Sequence, residues 1–212
     1  MDQRQSTSPR HAQFRCQPLR ILNPRAHFFG DSFTFGQGDP EGLGWVGRLA
    51  ARISRIEFVN HGVPGAPSSY VAERWLATEL DHGRRELAVF CFGTNDAVLR
   101  VPEDDSLEAL EQILDRAEHH HVPVFVIGPP PVGDDAEADM ALESLDSVMH
   151  QISTLRAVPY ISTFEALGPG SVWQAEAAAG DGSHPAAGGY AELTELLRTS
   201  GLTEWLLAMS SR

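Results

Sequence analysis

Short apolar segments alternate with amphipathic segments along most of the chain, and this alternation constrains the fold more than any other feature. The apolar segments are rich in Val, Ile and Phe, and they comprise residues 26–30, 56–60, 87–93, 122–128 and 158–163. Continuous apolarity, without polar residues at every second position, is typical of parallel strands covered on both faces. Five such strands alternating with helices predict an α/β fold, a single doubly wound three-layer α/β/α sandwich around a five-stranded parallel sheet.

The segments between these strands have apolar residues at helical spacing. The clearest helix follows a cap at Asp105 or Ser106, and other helices are predicted over residues 45–54, 69–80, 138–155 and 185–198. Residues 164–180 are expected to form a long loop. Residues 1–24 are predicted to be a polar N-terminal tail, and residues 25–212 a single domain.

The charged residues exclude several classes of protein. All 16 cationic side chains are arginines, and a chain without lysine has no P-loop, no protein-kinase site and no Schiff-base chemistry. The net charge of −13 argues against a nucleic-acid partner and against a polybasic membrane anchor. Residues 1–20 lack the apolar run of a secretory signal, so we expect a cytoplasmic location.

The two cysteines predict neither a disulfide framework nor a metal site. Cys16 lies in the polar N-terminal segment, whereas Cys91 lies within an apolar run and is expected to be an inert core thiol. Neither has the spacing of a zinc ligand. The three adjacent histidines at 119–121 point in different directions on a helix, which favours a solvated helix end over a metal site.

Reactive or polar side chains follow three of the predicted elements in an informative order. The sequence Gly-Asp-Ser-Phe occupies residues 30–33 after the first strand, and Gly-Thr-Asn-Asp occupies residues 93–96 after the third. Asp-Gly-Ser-His-Pro occupies residues 181–185, before the helix predicted over 185–198. Because ligands of doubly wound sheets bind at the carboxyl ends of the strands, we expect these side chains to lie around one site.

The residue types in these loops are those of nucleophilic catalysis. Ser32 is a weak nucleophile unless a base removes its proton, and His184 is the candidate base. Asp181 stands three residues before His184, so one tight loop can aim its carboxylate at the far imidazole nitrogen. The sequence therefore predicts a catalytic Ser32, His184 and Asp181.

Acyl transfer also needs donors where negative charge develops on the carbonyl oxygen. The side-chain amide of Asn95 and the backbone N–H of Ser32 are candidates, together with the N–H of Gly65 or Gly62 in the loop after the second strand. Each such oxyanion-hole donor is worth about 3–4 kcal/mol of barrier.

These motifs resemble the four sequence blocks of the SGNH (GDSL) hydrolase family. The blocks are Gly-Asp-Ser-Phe, Asn-x-Gly-x-x-Gly in the second loop, Gly-Thr-Asn-Asp, and Asp-x-x-His, and the resemblance extends over about residues 25–200. It implies a flavodoxin-like fold and hydrolysis of esters, thioesters or sugar O-acetyl groups without a metal or organic cofactor. It also implies that Ser32 is the nucleophile, that Asp181 and His184 complete the triad, and that Asn95 is an oxyanion donor.

The chain departs from the family pattern at two places. Phe33 stands where leucine is usual, at a position expected to pack without touching the chemistry. The second block contains both Gly62 and Gly65; counting from Asn60, Gly65 aligns better with the family's donor, and Gly62 stays an alternative.

The favoured hypothesis is a serine hydrolase that cleaves a small carboxylic ester, in the manner of a GDSL-type lipase or esterase, through an acyl-enzyme intermediate. A carbohydrate O-acetyl esterase or a thioesterase of the same fold is the alternative within enzymes, and a catalytically silent binding protein is the alternative outside them. The motifs leave the acyl length, the alcohol moiety and the oligomeric state open.

A few other side chains have two interpretations. Trp173 and Phe164 either wall an acyl pocket or belong to the core. His61 either lines the pocket or is a polar loop residue. Asp96 is either an acid or base of the reaction or, as favoured, shapes its loop by accepting from neighbouring N–H groups.

Overall fold

The computed structural model describes residues 22–132 and 135–211, so most of the predicted N-terminal tail and Cys16 lie outside the described residues. All strand pairs are parallel, and the sheet order is β2-β1-β3-β4-β5. This is the flavodoxin-like order, and it confirms the predicted fold class. The strands are β1 (Arg25–Gly30), β2 (Glu57–Asn60), β3 (Glu86–Cys91), β4 (Val124–Ile127) and β5 (Tyr160–Ile161).

Helices cover both faces of the sheet. They are α1 (Ser32–Phe35), α2 (Gly44–Ala50), α3 (Ser68–Leu76), α4 (Thr94–Leu99), α5 (Glu103–His119), α6 (Ala136–Leu155), α7 (Val172–Ala179), α8 (Ala187–Thr199) and α9 (Leu202–Ser210). The apolar faces of α2, α8 and α9 pack on one side of the sheet, and those of α3, α5 and α6 pack on the other. None of the helices in the described ranges is both long enough and apolar enough to cross a membrane.

The central strands are buried on both faces, as their continuous apolarity predicts. Every residue of β3 is buried, and only Arg25 of β1 is not. Side chains alternate between the two faces of a strand, so Phe28 joins the core cluster beneath α2 and α8 while Phe29 joins the cluster beneath α3 and α5. The two phenylalanines of β1 therefore anchor both helical layers to the sheet.

The structure corrects several predicted boundaries. Residues 164–180 are not all loop, because α7 forms there behind Ser171, whose hydroxyl accepts from the N–H of Gln174 (3.1 Å). The helix α5 begins at Glu103, before the expected cap at Asp105 or Ser106, so its acidic residues lie in the first turn, where the helix dipole favours them. Only two residues of the predicted fifth strand pair with β4.

Topology brings the predicted motifs to one edge of the sheet. The chain passes from β1 to β2 on one side and then crosses to β3 on the other side of β1. Strand order thus reverses between β1 and β3, and the loops after these two strands lie side by side at their carboxyl ends. Ser32 follows β1 and Asn95 follows β3, so the two residues lie at neighbouring positions on this edge of the sheet.

Candidate active site

The structure brings the three predicted catalytic side chains into one hydrogen-bonded row. Ser32 Oγ lies 2.9 Å from His184 Nε2, and His184 Nδ1 lies 2.8 Å from Asp181 Oδ2. An ionised carboxylate only accepts hydrogen bonds, so Nδ1 carries the proton donated to Asp181. Nε2 then has a free lone pair, which accepts from the Ser32 hydroxyl. This is the tautomer that a general base needs.

Ser32 is held at the junction between β1 and α1. Asp31 caps this short helix, and its Oδ1 accepts from the N–H of Phe33 (2.9 Å). The Ser32 residue is only 6% exposed. One turn thus holds both the capping carboxylate of Asp31 and the Ser32 hydroxyl that contacts His184.

The loop 181–185 is organised around the carboxylate of Asp181. Its Oδ1 accepts from the N–H groups of Ser183 (2.9 Å) and His184 (2.8 Å), while its Oδ2 faces the imidazole. The N–H of His184, its imidazole and the N–H of Ser183 lower the pKa of Asp181 from 3.8 to about 2. The carboxylate therefore stays ionised at neutral and mildly acid pH, although its side chain is 55% exposed.

The segment after α1 packs against the loop that carries His184. The side-chain amide of Gln37 lies 3.4 Å from His184 Nδ1, and the carbonyl of Gln37 accepts from the Tyr190 hydroxyl (2.7 Å). Gly38 has φ +89°, and a Cβ there would lie 2.6 Å from the Pro185 carbonyl oxygen. Glycine is therefore required for this segment to approach the histidine loop so closely.

Asn95 and Gly65 reach the same cavity as Ser32 and His184. This cavity has a volume of about 410 Å³ and opens to solvent at the carboxyl edge of the sheet. Gly65 adopts φ +78°. Gly62 instead donates its N–H to Asn60 Oδ1 (2.8 Å) within its own loop, and a Cβ on it would lie 2.3 Å from the N of Phe35. Of the two candidate glycines, Gly65 is the one placed at the cavity.

The apolar wall of the cavity is formed by Phe33, Val98 and Val132. Phe33 is 2% exposed and its ring centroid lies 5.0 Å from that of Trp173, which confirms its packing role. Its ring centroid also lies 5.4 Å from that of His184. The expectation that Phe33 stays clear of the predicted site is therefore wrong.

Two acidic side chains beside the site make contacts that the sequence did not signal. Asp31 Oδ2 accepts from Asn95 Nδ2 (3.2 Å), so the residue before the serine also holds the amide from the third loop. Asp96 accepts from the N–H of Ser68 (2.9 Å) and from the hydroxyl of Ser106 (3.0 Å). It thereby links its loop to the starts of α3 and α5, rather than only shaping its own loop as expected.

The buried position of Asp31 alters its acidity. Burial raises the pKa of Asp31 from 3.8 to about 7, the N–H of Phe33 opposes this rise, and the charge of Asp96 adds to it. The carboxyl is 1% exposed and lies one residue from Ser32. A buried carboxyl that titrates near neutrality beside a cavity is a common mark of a functional site.

Trp173, Phe164 and His61, each of which had two interpretations, make packing or hydrogen-bond contacts away from the cavity lining. Trp173 is fully buried and donates Nε1–H to the Pro131 carbonyl (3.3 Å), and Phe164 packs on a small apolar cluster. His61 Nε2 lies 2.8 Å from His27 Nδ1, on the face of Phe29.

The histidines at 119–121 lie at the end of α5, and the first and last of them are exposed. Over residues 22–132 and 135–211, no three His, Cys, Asp or Glu side chains are grouped as metal ligands.

Comparison with solved structures shows the fold of GDSL hydrolases. A lipolytic protein of the G-D-S-L family from Veillonella parvula DSM 2008 superposes with a TM-score of 0.71 at 21% identity, covering 83% of this chain and 97% of that one. The lipase/acylhydrolase from Enterococcus faecalis gives 0.65 at 24% identity, covering 84% and 96%. Axe2, an acetylxylan esterase from Geobacillus stearothermophilus, gives 0.67 at 20% identity, covering 84% and 94%.

The sequence itself identifies the family. The model of the GDSL-like lipase/acylhydrolase family matches residues 28–192, and the chain belongs to this family. No curated protein sequence matches the chain significantly.

Proposed function

We propose that the protein is a serine esterase that hydrolyses small carboxylic esters through an acyl-enzyme intermediate. The observation that carries this proposal is the row from Ser32 Oγ to His184 Nε2 and from His184 Nδ1 to Asp181, with distances of 2.9 and 2.8 Å. The row borders a cavity at the carboxyl edge of the sheet. Membership of a lipase/acylhydrolase family supports the same reaction class.

In the first half of the reaction, Ser32 Oγ attacks the ester carbonyl as its proton passes to His184 Nε2. Asp181 stabilises the imidazolium that forms and keeps the ring in the required orientation. When the tetrahedral intermediate collapses, the alcohol leaves with the proton from Nε2 and the acyl group stays on Ser32. In the second half, a water molecule gives a proton to Nε2 as its oxygen attacks the acyl carbon. The bond from that carbon to Ser32 Oγ then breaks, Nε2 returns the proton to Oγ, and the acid leaves.

The negative charge on the carbonyl oxygen is stabilised by three donors in this proposal. They are the side-chain amide of Asn95 and the backbone N–H groups of Gly65 and Ser32. Asn95 and Gly65 both line the cavity beside Ser32, which supports their assignment, whereas the N–H of Gly62 has a partner at Asn60. Donors held in place before the reaction stabilise the transition state without reorganising.

The cavity favours a short acyl group. Its volume of about 410 Å³ lies toward the lower end of the ~300–1,000 Å³ typical of ligand pockets. Phe33, Val98 and Val132 offer an apolar surface to an alkyl chain, and Ser183 and Gln37 offer polar groups on the side of the histidine loop. An acetyl or butyryl ester fits a cavity of this size, with one apolar and one polar side, better than a long-chain lipid does.

A carbohydrate O-acetyl ester is the alternative that shares this chemistry. Axe2, which has the same fold, is an acetylxylan esterase, and the polar groups along the histidine side of the cavity suit a hydroxylated alcohol moiety. A catalytically silent binding protein would have no need for a serine and a histidine in hydrogen-bond contact, so the geometry disfavours it.

The experiment is a substrate panel with a matched pair of serine variants. Esters of p-nitrophenol with acetyl, butyryl and octanoyl groups are compared with acetylated xylan and an acyl thioester, using the wild type, Ser32→Ala and Ser144→Ala. Ser144→Ala removes an exposed hydroxyl on α6 that contacts Glu103, away from the cavity. We expect turnover of the short esters, a loss on the order of 10⁶ in kcat for Ser32→Ala, and turnover close to that of the wild type for Ser144→Ala.

Turnover in Ser32→Ala comparable with the wild type would contradict the proposal. A preference for acetylated xylan over every p-nitrophenyl ester would support the carbohydrate alternative. Absence of turnover on the whole panel would favour the silent binding protein.

A further inference from the structure

We propose that Asp31 is a positioning residue for Asn95: its ionised carboxylate fixes the orientation of the Asn95 amide, and its protonation releases that amide from the catalytic arrangement. This inference rests on the proposed function, because Asn95 acts there as a donor to the oxyanion. Asp31 itself touches neither the cavity nor the reacting atoms in this scheme.

The carboxylate of Asp31 joins two of the catalytic loops. Oδ1 accepts from the N–H of Phe33 (2.9 Å), which fixes the turn that carries Ser32. Oδ2 accepts from Nδ2 of Asn95 (3.2 Å), which comes from the loop after β3. With a 1% exposed side chain, Asp31 has no water layer that would substitute for either contact. Both contacts are made to the residue that immediately precedes the proposed nucleophile.

The charge of Asp31 decides which way the amide of Asn95 faces. An ionised carboxylate accepts hydrogen bonds but donates none, so it selects the NH2 end of the amide and not the carbonyl end. One hydrogen on Nδ2 is then held by Asp31, and the second is left for an acceptor in the cavity. A protonated Asp31 donates through its O–H, which favours the amide turned by 180°, with its carbonyl toward Asp31. The oxyanion would then lose a donor and face an oxygen.

The surroundings of Asp31 make this change of charge accessible. Burial raises its pKa to about 7, and the neighbouring charge is that of Asp96 on α4. Burial also raises the pKa of the Cys91 thiol on β3 and of the Tyr190 phenol on α8, so these two neighbours stay neutral. His184 also lies nearby, because its Nε2 contacts the hydroxyl of Ser32, the residue after Asp31. Protonation of Asp31 should therefore lower kcat by roughly the same 10- to 100-fold as removal of its charge in Asp31→Asn.

A double-mutant cycle tests whether Asp31 acts through Asn95. The kcat and KM for p-nitrophenyl acetate are measured for the wild type, Asp31→Asn, Asn95→Ala and the double variant. We expect Asn95→Ala to lower kcat by about 10²–10³, and Asp31→Asn to lower it by roughly 10- to 100-fold with KM nearly unchanged. In the Asn95→Ala background, Asp31→Asn should have almost no further effect. An equal loss in both backgrounds would overturn the proposal, as would wild-type kcat in Asp31→Asn.

The pH profile and a matched cap variant separate positioning from a structural effect. Asp31→Asn has no carboxyl to titrate at this position, so the ratio of wild-type kcat to Asp31→Asn kcat should fall toward one as the pH falls through the titration of Asp31. Asp135 caps α6 by accepting from the N–H groups of Glu137 and Ala138, as Asp31 caps α1. We expect Asp135→Asn to keep the wild-type kcat at every pH. A ratio of wild-type kcat to Asp31→Asn kcat that does not change with pH would contradict the proposal.

A measurement without turnover keeps this inference distinct from the proposed function. In ¹⁵N- and ¹³C-labelled Ser32→Ala protein, the side-chain NH2 signals of Asn95 should shift with pH at the same midpoint as the carboxyl carbon of Asp31, and Asp31→Asn should abolish the shift. If the chain hydrolyses no ester but these signals titrate together, the proposed function fails and the coupling stands. If esters are hydrolysed but the Asn95 signals do not follow Asp31, the coupling fails alone.

Discussion

Replacing Asp31 by Asn should stabilise the fold above neutral pH, which is the reverse of the usual result of removing a capping carboxylate. Burial raises the pKa of Asp31 from 3.8 to about 7. Between these values the unfolded chain binds fewer protons at this site than the folded protein, so the free energy of unfolding falls as pH rises. This difference in pKa corresponds to a loss of about 4 kcal/mol in the free energy of unfolding by pH 8.

The same substitution weakens the contacts to Phe33 and Asn95, at a cost of about 1–2 kcal/mol. We therefore expect Asp31→Asn to be more stable than the wild type by roughly 2–3 kcal/mol at pH 8, and equal or slightly less stable at pH 4.

Urea unfolding at pH 4, 6 and 8 measures this effect. The difference between the wild type and Asp31→Asn isolates the single carboxyl, because the other titrating groups are common to both proteins. Asp135→Asn is the control: Asp135 is a cap whose pKa is lowered by the N–H of Ala138, so losing it should destabilise the protein at neutral pH. A difference between wild type and Asp31→Asn that is constant from pH 4 to 8 would refute the reasoning, as would destabilisation at pH 8.

Three further substitutions test separate parts of the site. Asn95→Ala should lower kcat by ~10²–10³ with little change in KM, and a loss carried by KM alone would make Asn95 a residue of substrate binding instead. Asp181→Asn should lower kcat by up to ~10⁴ at every pH while circular dichroism shows an intact fold, because an amide permits the wrong imidazole tautomer; kcat equal to wild type would remove Asp181 from the mechanism. Gly38→Ala should lower both kcat and Tm, since its Cβ would press on the Pro185 carbonyl and on His184; unchanged values would show that this segment yields freely.

Local sequence patterns predicted the sheet and the motif-bearing loops because these depend on neighbouring residues. The continuous apolarity of β3 and β4 marks strands covered on both faces; β4 lies within its predicted segment, and β3 begins one residue before its own. Loop 181–185 combines the expected turn with the expected contact between Asp181 and His184. A local sequence pattern predicts the structure correctly when the local preference and the global fold favour the same conformation.

The features that the sequence did not reveal depend on distant residues. Trp173 on α7 packs against both Phe33 and Tyr190. These partners are distant in sequence, so no local pattern predicts the contacts. The contact between Asp31 and Asn95 joins residues 64 positions apart, and the altered acidity of Asp31 follows from burial under several elements. Such properties arise only when the sheet brings its loops together.

Site-specific covalent labelling tests the central claim most directly. The protein is treated with an alkyl fluorophosphonate, which reacts with activated serines, and the adduct is located by intact mass and peptide mapping. We predict a single adduct on Ser32, much slower labelling in His184→Ala, and no adduct in Ser32→Ala. Labelling of Ser183 or another serine, or unchanged labelling of Ser32→Ala, would contradict the assignment of Ser32 as the nucleophile.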